Sequence, residues 1–402
     1  MRHPVDDERL AAWRQETPGT TERVHLNNAG AALMPRVVID AIQSHTELEG
    51  RIGGYEAADA RVPEIEQVYT DLAQLVGAAP RNIALTGSAT ASFIQAISTV
   101  DFAPDDVILT SRADYTSYQI QYLALSKRLG VRVIHAADLP EGGIDPDDVR
   151  KILSVTRPRF VSVSWMPTHG GLIQDVHAVS DVCEEFGASL HVDACQAVGQ
   201  LPIDVTRLRC DYLSATARKF LRGPRGIGFL YASERALDRG DYPLLVDMRG
   251  AEWVSPTEFR VASSARRFED WEFAYSLVLG LGAAARYALA AGVEATGARA
   301  IGLASYLREQ LRTIEGVRVL DTGRMQSAIV TFDHDRLAPA DIVGALESEN
   351  INAVVSQRWY GLLDFSTRGV EGAVRASPHY YNTVGEIDQL VDVVRRSSSS
   401  AR

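Results

Sequence analysis

The chain has 402 residues, 46% of them hydrophobic and 23% charged, with a formal net charge of -11. That length supports two packed units with a large core, and the acidic balance argues against bulk nucleic-acid binding. No apolar run reaches the ~20 residues of a membrane-spanning helix. The charged start MRHPVDDERLAAWRQETPG lacks the apolar centre of a secretory signal, and Cys183, Cys195 and Cys210 make no disulfide framework. A cytoplasmic enzyme is expected, with no nucleic acid, membrane or metal among its partners.

Residues 1–20 read as an N-terminal arm or short helix, and Pro35–Ser44 as a helix. Strand signals then alternate with amphipathic stretches. Strands are expected at Asn82–Leu85, Asp106–Thr110, Val131–His135, Phe160–Trp165, Ser189–Val192, Asp211–Ser214 and Gly226–Tyr231. Helices are expected at Ala91–Ile97, Ser117–Leu129 and Val176–Phe186. This alternation predicts an α/β fold, a mostly parallel sheet flanked by helices, with ligands outside the carboxyl ends of its strands. The Ala-rich Tyr275–Ala291 reads as a long connecting helix. Beyond it, helices at Ala298–Glu315, Pro339–Glu349 and Val384–Arg395 and strands at Val317–Leu320, Ser327–Phe332, Ala353–Ser356 and Ala373–Ala376 suit a smaller C-terminal α+β domain. No Pro/Gly-rich linker divides the halves. The expected units are the arm, a large domain at 21–285 and a small domain at 286–402.

Lys219 carries the most chemistry. The apolar run Cys210–Ala215 enters a polar turn holding the lysine, and the glycine-rich Gly223-Pro-Arg-Gly-Ile-Gly228 follows. A lysine at the end of a buried strand is desolvated, which frees its amine for Schiff-base chemistry. Upstream, LHVDACQAVGQLPID at 190–204 reads as a second buried strand, ending in Asp193. A carboxylate there suits the pyridinium nitrogen of pyridoxal 5′-phosphate (PLP), whose ring acts as an electron sink.

These segments resemble the class V aminotransferase and cysteine desulfurase family, PLP enzymes of fold type I. The family pattern is V-D-A-x-Q-x-x-G, then ~25 residues later S-x-H-K and G-P-x-G-x-G-x-L-Y. Asp193, Ala194, Gln196 and Gly199 match the first part. Lys219, Gly223, Pro224, Gly226, Gly228, Leu230 and Tyr231 match the second. Thr216 stands at the serine position and Arg218 at the histidine position, and one extra residue separates Lys219 from Gly223-Pro224. The resemblance runs from Asn27 to about Tyr381. It implies PLP attached to Lys219, Asp193 on the ring nitrogen and Gln196 donating to the phenolic oxygen. A homodimer with active sites near the interface is also implied.

Other positions follow the same resemblance. Ser88-Ala89-Thr90 stands at the family's G-A-T turn, where Ala89 and Thr90 would meet the phosphate at a helix N-terminus. The same residues also suit an ordinary helix cap. Thr216 and Arg218 would complete the phosphate cup. Tyr115 occupies the place of the ring that stacks on the cofactor. Thr168 would bond the phenolic oxygen, and His169 would be a second acid/base near the substrate. Gly372-Ala-Val-Arg-Ala-Ser-Pro-His-Tyr-Tyr-Asn-Thr383 matches the family's R-x-S-x-x-x-Y-N-T, with Arg375 as clamp for the α-carboxylate of an amino-acid substrate. The rival is a structural arginine paired with Asp364 or Glu371. Asn27 and Asn28 would bond the same carboxylate, or simply make a turn.

Two departures bear on function. Trp271 and Glu272 stand where the family's Gly-Thr reaches the partner subunit's phosphate, so that contact is absent or passes to the Trp271 N–H. No cysteine lies between Ser327 and Arg375, where persulfide-forming desulfurases carry a mobile thiolate. The patterns VRASPHYYNT and ARKFLRGPRG resemble a subgroup: ergothioneine-pathway C–S lyases, isopenicillin N epimerase-like proteins and cysteine S-conjugate enzymes of lincosamide antibiotic biosynthesis. The implied reaction is β-elimination from a cysteine S-conjugate in secondary or thiol metabolism. The alternatives are decarboxylation with deamination to an aldehyde, transamination or epimerisation, and a PLP-fold binding protein without activity.

Overall fold

The computed structural model describes residues 7–400. A seven-stranded sheet forms the large unit. Its order is Ile83–Thr86, Gly228–Ala232, Tyr212–Thr216, Leu190–Asp193, Phe160–Ser164, Val107–Thr110, Arg132–His135. All neighbours are parallel except Gly228–Ala232, which runs antiparallel to both of its own. The strands are buried along their length except the edge strand Arg132–His135. Burial on both faces is why their sequences read as continuous apolar runs rather than alternating ones.

Helix boundaries follow local chemistry. Val176–Phe186 starts where the Asp175 side chain accepts the Ala178 N–H at 3.0 Å, and stops at Gly187 with φ 63°. Tyr275–Ala291 is rich in small residues, so it packs closely against Arg36–Ile52 and Val62–Val76. A Cβ on Gly280 would lie 2.7 Å from Ile42, and one on Gly282 2.7 Å from Val68. The next helix, Val293–Leu311, leaves at 83° after Gly292. That bend lies a few residues beyond 285, the expected boundary. No single helix among the described residues is long and apolar enough to cross a membrane.

The small unit is an antiparallel sheet ordered Val317–Val319, Val330–His334, Gly372–Ala376, Val354–Gln357. Arg375 sits on its third strand, opposite Thr331 on one side and Val354 on the other. The strand Val24–His25 pairs in parallel with Ile351–Asn352, and Asn27 bridges to Ser377. These early residues, expected in the large domain, are therefore seated on the small one. The exposed hairpin Ala251–Ser255/Glu258–Val261 and the helices Gly54–Ala60 and Val62–Val76 are further elements that the sequence reading did not foresee.

Candidate active site

Lys219 lies just past the strand Tyr212–Thr216 and is 6% exposed. The turn closes through Arg222 N–H to Lys219 O at 2.9 Å and Gly223 N–H to Ala217 O at 2.8 Å. The Lys219 side chain has no hydrogen bond or ion pair among the described residues; its Nζ lies 6.0 Å from the centre of the Tyr115 ring. Burial lowers its pKa, against opposing pulls from Cys195 and Asp193. An amine so placed is available as a nucleophile and a base. The extra residue of the turn, Arg222, has φ 62° and is 1% exposed. It donates to Leu33 O at 2.9 Å, Tyr380 OH at 2.5 Å and Thr17 Oγ1 at 2.5 Å, tying the lysine turn to both ends of the chain.

Asp193 ends its strand two places from Tyr212–Thr216's own terminus, with Oδ1 accepting the Cys195 N–H at 2.8 Å. Ser164 Oγ lies 3.4 Å from Oδ2. The same hydroxyl donates to Asp114 Oδ1 at 2.5 Å. Asp114 was not singled out in the sequence. It lies beside Tyr115 in a polar turn, and only the fold shows it to be 2% exposed. Burial pushes its carboxyl up to about 6, opposed by its hydrogen bonds from Ser164 and Thr110. Behind Asp193, His191 bridges Ser162 and Ser214 at 2.9 Å each, and burial pushes its pKa down to about 3, so it is neutral.

The turn before helix Ala89–Ile97 is capped by Ser88, whose Oγ accepts the Ala91 N–H at 3.1 Å. The Ala89 and Thr90 N–H groups make no backbone hydrogen bond and remain free for an anion. A Cβ on Gly228 would come 3.0 Å from Ala89 N, so glycine lets the strand after the lysine turn touch this helix start. Thr216 is 7% exposed, and its hydroxyl makes one long contact, to Ile227 O at 3.5 Å. Arg218 differs from its expected direction: its guanidinium donates to Gly30 O, on the turn that follows Asn27.

Arg375 is 9% exposed and donates to Thr168 O at 2.7 Å, Thr168 Oγ1 at 3.0 Å and Asn27 Oδ1 at 3.1 Å, leaving Nε buried without a partner. Thr168 Oγ1 also accepts from Gln196 Nε2 at 3.1 Å, so its own proton is free to donate. The Gln196 amide spends Nε2 on Thr168 and on Ala29 O at 3.1 Å, so the donation expected from it would require exchanging a partner. Its Oε1 is buried and unpaired.

Three expectations meet a different geometry. Asn28 is fully buried, giving Nδ2 to Ser377 O at 2.7 Å and His25 O at 3.2 Å while Oδ1 accepts from Tyr381 OH. All its capacity goes into joining the chain ends, so it is not free for substrate. His169 is 2% exposed; Nε2 meets Asp364 Oδ2 at 3.2 Å and the ring packs edge-on against Phe365. Those contacts clamp the segment Arg358–Arg368 and include none of Lys219, Asp193 or Arg375. The Trp271 N–H donates to Asp247 Oδ2 at 2.9 Å, so it is already engaged, and the indole is 44% exposed rather than in the core.

PLP fits these residues. A buried lysine with an unbonded amine, free N–H groups at a helix start and an aromatic face lie past the carboxyl ends of strands of the large sheet, and Gln196 and Arg375 carry orphaned buried polar atoms. The three thiols are buried, and burial is the first cause of their raised pKa: Cys183 up to about 12, Cys195 and Cys210 higher still.

Residues 24–390 match the aminotransferase class-V family. A probable cysteine desulfurase of Pyrococcus abyssi is 25% identical over 414 aligned residues, covering 100% of this chain and 99% of that protein. The apo cysteine desulfurase of Thermococcus onnurineus superposes with a TM-score of 0.89 at 24% identity, covering 100% and 99%. The cystine C–S lyase C-DES, solved with its product cysteine persulfide, gives 0.84 at 23% identity, covering 94% and 99%. The chain belongs to the class-V aminotransferase family, and it is a PLP-dependent enzyme acting on amino acids.

Proposed function

We propose that this enzyme cleaves the C–S bond of a cysteine S-conjugate by β-elimination. The carrying observation is the contrast between a complete amino-acid-handling set and inaccessible thiols. Lys219, Asp193 and Arg375 surround the site, while Cys183, Cys195 and Cys210 are all buried. Sulfur transfer through a protein persulfide needs a reachable thiolate. The segment lying over His169, Arg358–Arg368, offers Trp359 and Tyr360 instead. The C–S lyase of the same fold supports the reading, as does the sequence likeness to the S-conjugate subgroup.

Arg375 takes the α-carboxylate through charge-assisted bonds, exchanging its neutral partners on Thr168 and Asn27. Lys219, whose pKa burial lowers, removes the Cα proton. Bound PLP supplies the electron sink for the pair left at Cα. Asp193 would support that role from the ring nitrogen, and Thr168 would donate to the phenolic oxygen. The pair then forms the Cα–Cβ double bond as the Cβ–S bond breaks. A thiol leaves with a proton, and hydrolysis of the unsaturated product yields pyruvate and ammonia.

The test is incubation of the holoenzyme with a panel of cysteine S-conjugates, followed by mass spectrometry. Thiol, pyruvate and ammonia in equal amounts are expected. An aldehyde with carbon dioxide, a keto acid that retains sulfur, or racemised substrate would each replace β-elimination with a rival reaction.

A further inference from the structure

Beneath the site, two carboxylates reach one hydroxyl, that of Ser164, on the strand between the two that lead to them. Asp114 accepts four hydrogen bonds. Ser164 Oγ at 2.5 Å and the Tyr115 N–H at 2.8 Å reach Oδ1, while Thr110 Oγ1 at 2.7 Å and Tyr122 OH at 2.9 Å reach Oδ2. A serine hydroxyl has one proton to give. At 2.5 Å that proton belongs to Asp114, since short O–H···O⁻ bonds are the strong ones. At 3.4 Å, Asp193 Oδ2 receives little of it. Asp193 Oδ1 is already occupied by the Cys195 N–H, so Oδ2 is the oxygen left open.

We propose that Asp114 is a positioning residue for Asp193. By holding the Ser164 proton it keeps Asp193 Oδ2 a full acceptor for the ring nitrogen of PLP. By holding the Tyr115 N–H it also fixes the aromatic face opposite Lys219. The inference rests on the assignment of Asp193 to the ring nitrogen and is independent of which substrate is used.

A carboxylate is required because all four partners are donors. An amide accepts at one end only, so asparagine must turn its NH2 toward Ser164 or toward the Thr110 and Tyr122 hydroxyls. Facing Ser164, it takes away that hydroxyl's acceptor and redirects the proton to Asp193 Oδ2. The oxygen meant for the ring nitrogen is then partly spent. The surrounding Tyr118 and Tyr122 phenols and the Cys195 thiol are held protonated, chiefly by burial, and add no charge that competes for the same site.

The experiment compares holoenzymes of wild type, Asp114→Asn, Ser164→Ala and the double variant, with Asp193→Asn as control. Two quantities are read: the pH profile of the bound cofactor's visible absorbance, and the saturated rate of Cα-hydrogen exchange of L-alanine in deuterated water. Asp114→Asn is expected to displace the absorbance profile and slow exchange about tenfold, a size typical of coupling between contacting groups. In the Ser164→Ala background the same substitution should cost much less, because no hydroxyl proton remains to redirect. Multiplied losses in the double variant overturn the proposal, since a merely structural Asp114 gives that result. Asp193→Asn with wild-type absorbance and exchange would strike the ring-nitrogen assignment itself, and the proposal with it. Should Asp114→Asn fail to fold, Ser164→Ala alone decides. Its absorbance profile should stay close to wild type, because the deleted proton lay with Asp114 and reached Asp193 only weakly, at 3.4 Å; a displaced profile overturns the proposal.

Discussion

Arg375 donates twice to Thr168, at 2.7 Å to the carbonyl and at 3.0 Å to the hydroxyl, and pairs with no carboxylate among the described residues. The carboxylates that could have neutralised it are committed elsewhere. Asp364 meets His169 and Arg368, and Glu371 meets Arg358. A buried guanidinium held only by neutral oxygens is short of an anion. Burial lowers its pKa to about 10, which still leaves it charged at neutral pH.

Arg375→Ala is therefore expected to weaken binding of a non-reactive amino-acid analogue by roughly 2–5 kcal/mol, the scale of a truncated buried charge pair. Arg375→Lys should restore only part of that, because the planar fork is lost. The cofactor's absorbance should stay unchanged in both variants. Unchanged analogue affinity in Arg375→Ala, measured by titration, would remove Arg375 from the site.

Lys219 should carry the cofactor. Borohydride reduction of the yellow holoenzyme is expected to fix PLP on the peptide containing Lys219, located by mass spectrometry. Lys219→Ala should lose about 10²-fold or more in Cα-proton removal, the least expected for deleting a general base. Label on another lysine would refute the assignment.

A homodimer is expected from the exposed apolar side chains of one region. Trp253 and Phe259 project from the hairpin, and Leu244, Leu245 and Met248 from the loop before it, all more than half exposed. A patch of that character marks an association surface. Sedimentation should give a dimer at micromolar concentration, and Trp253→Asp with Leu245→Asp should shift it to monomer. A fully active wild-type monomer would disprove the interface.

Glu269 should give stability a pH dependence. It is 1% exposed, accepts from Tyr69 OH at 2.9 Å and Leu85 N–H at 2.8 Å, and burial pushes its pKa from 4.5 up to about 7. The folded state then keeps a proton that the unfolded chain has released. Its stabilising contribution is complete below about pH 4.5 and is lost as pH rises through about 7. Glu269→Gln should lose less stability than wild type between about pH 5 and about pH 8. Parallel denaturant midpoints for the two proteins across that range would contradict the shift.

Much of this was legible because buried strands announce themselves. Val107–Thr110 and Leu190–Asp193 fall within a residue of their expected limits, and the helices Val176–Phe186 and Tyr275–Ala291 fall on them. Lys219 and Asp193 stood out because each closes such a run and falls within a motif resembling the family's. Side-chain direction was not legible. Asn28 and His169 have the right composition for a substrate site, yet close approach of the chain ends and of Phe365 turns both to structural work. Asp114 was missed because a lone aspartate in a turn looks solvated until four donors are folded around it. The hairpin at 251–261 was missed because its apolar residues face outward and leave no one-sided pattern to read.

The strand Val24–His25 finds its partner at Ile351–Asn352, most of the chain length away. On the ribosome that segment must wait, unpaired, until nearly the whole polypeptide has emerged. The seven-stranded sheet can assemble in the meantime from strands that end at Ala232. Such long-range closure slows folding and comes last. Asn27, which holds Arg375, lies just past this strand, so the carboxylate clamp is the final part of the catalytic centre to be assembled. A nascent or truncated chain can thus pair the strands that lead into Lys219 and Asp193 before it can hold an amino acid.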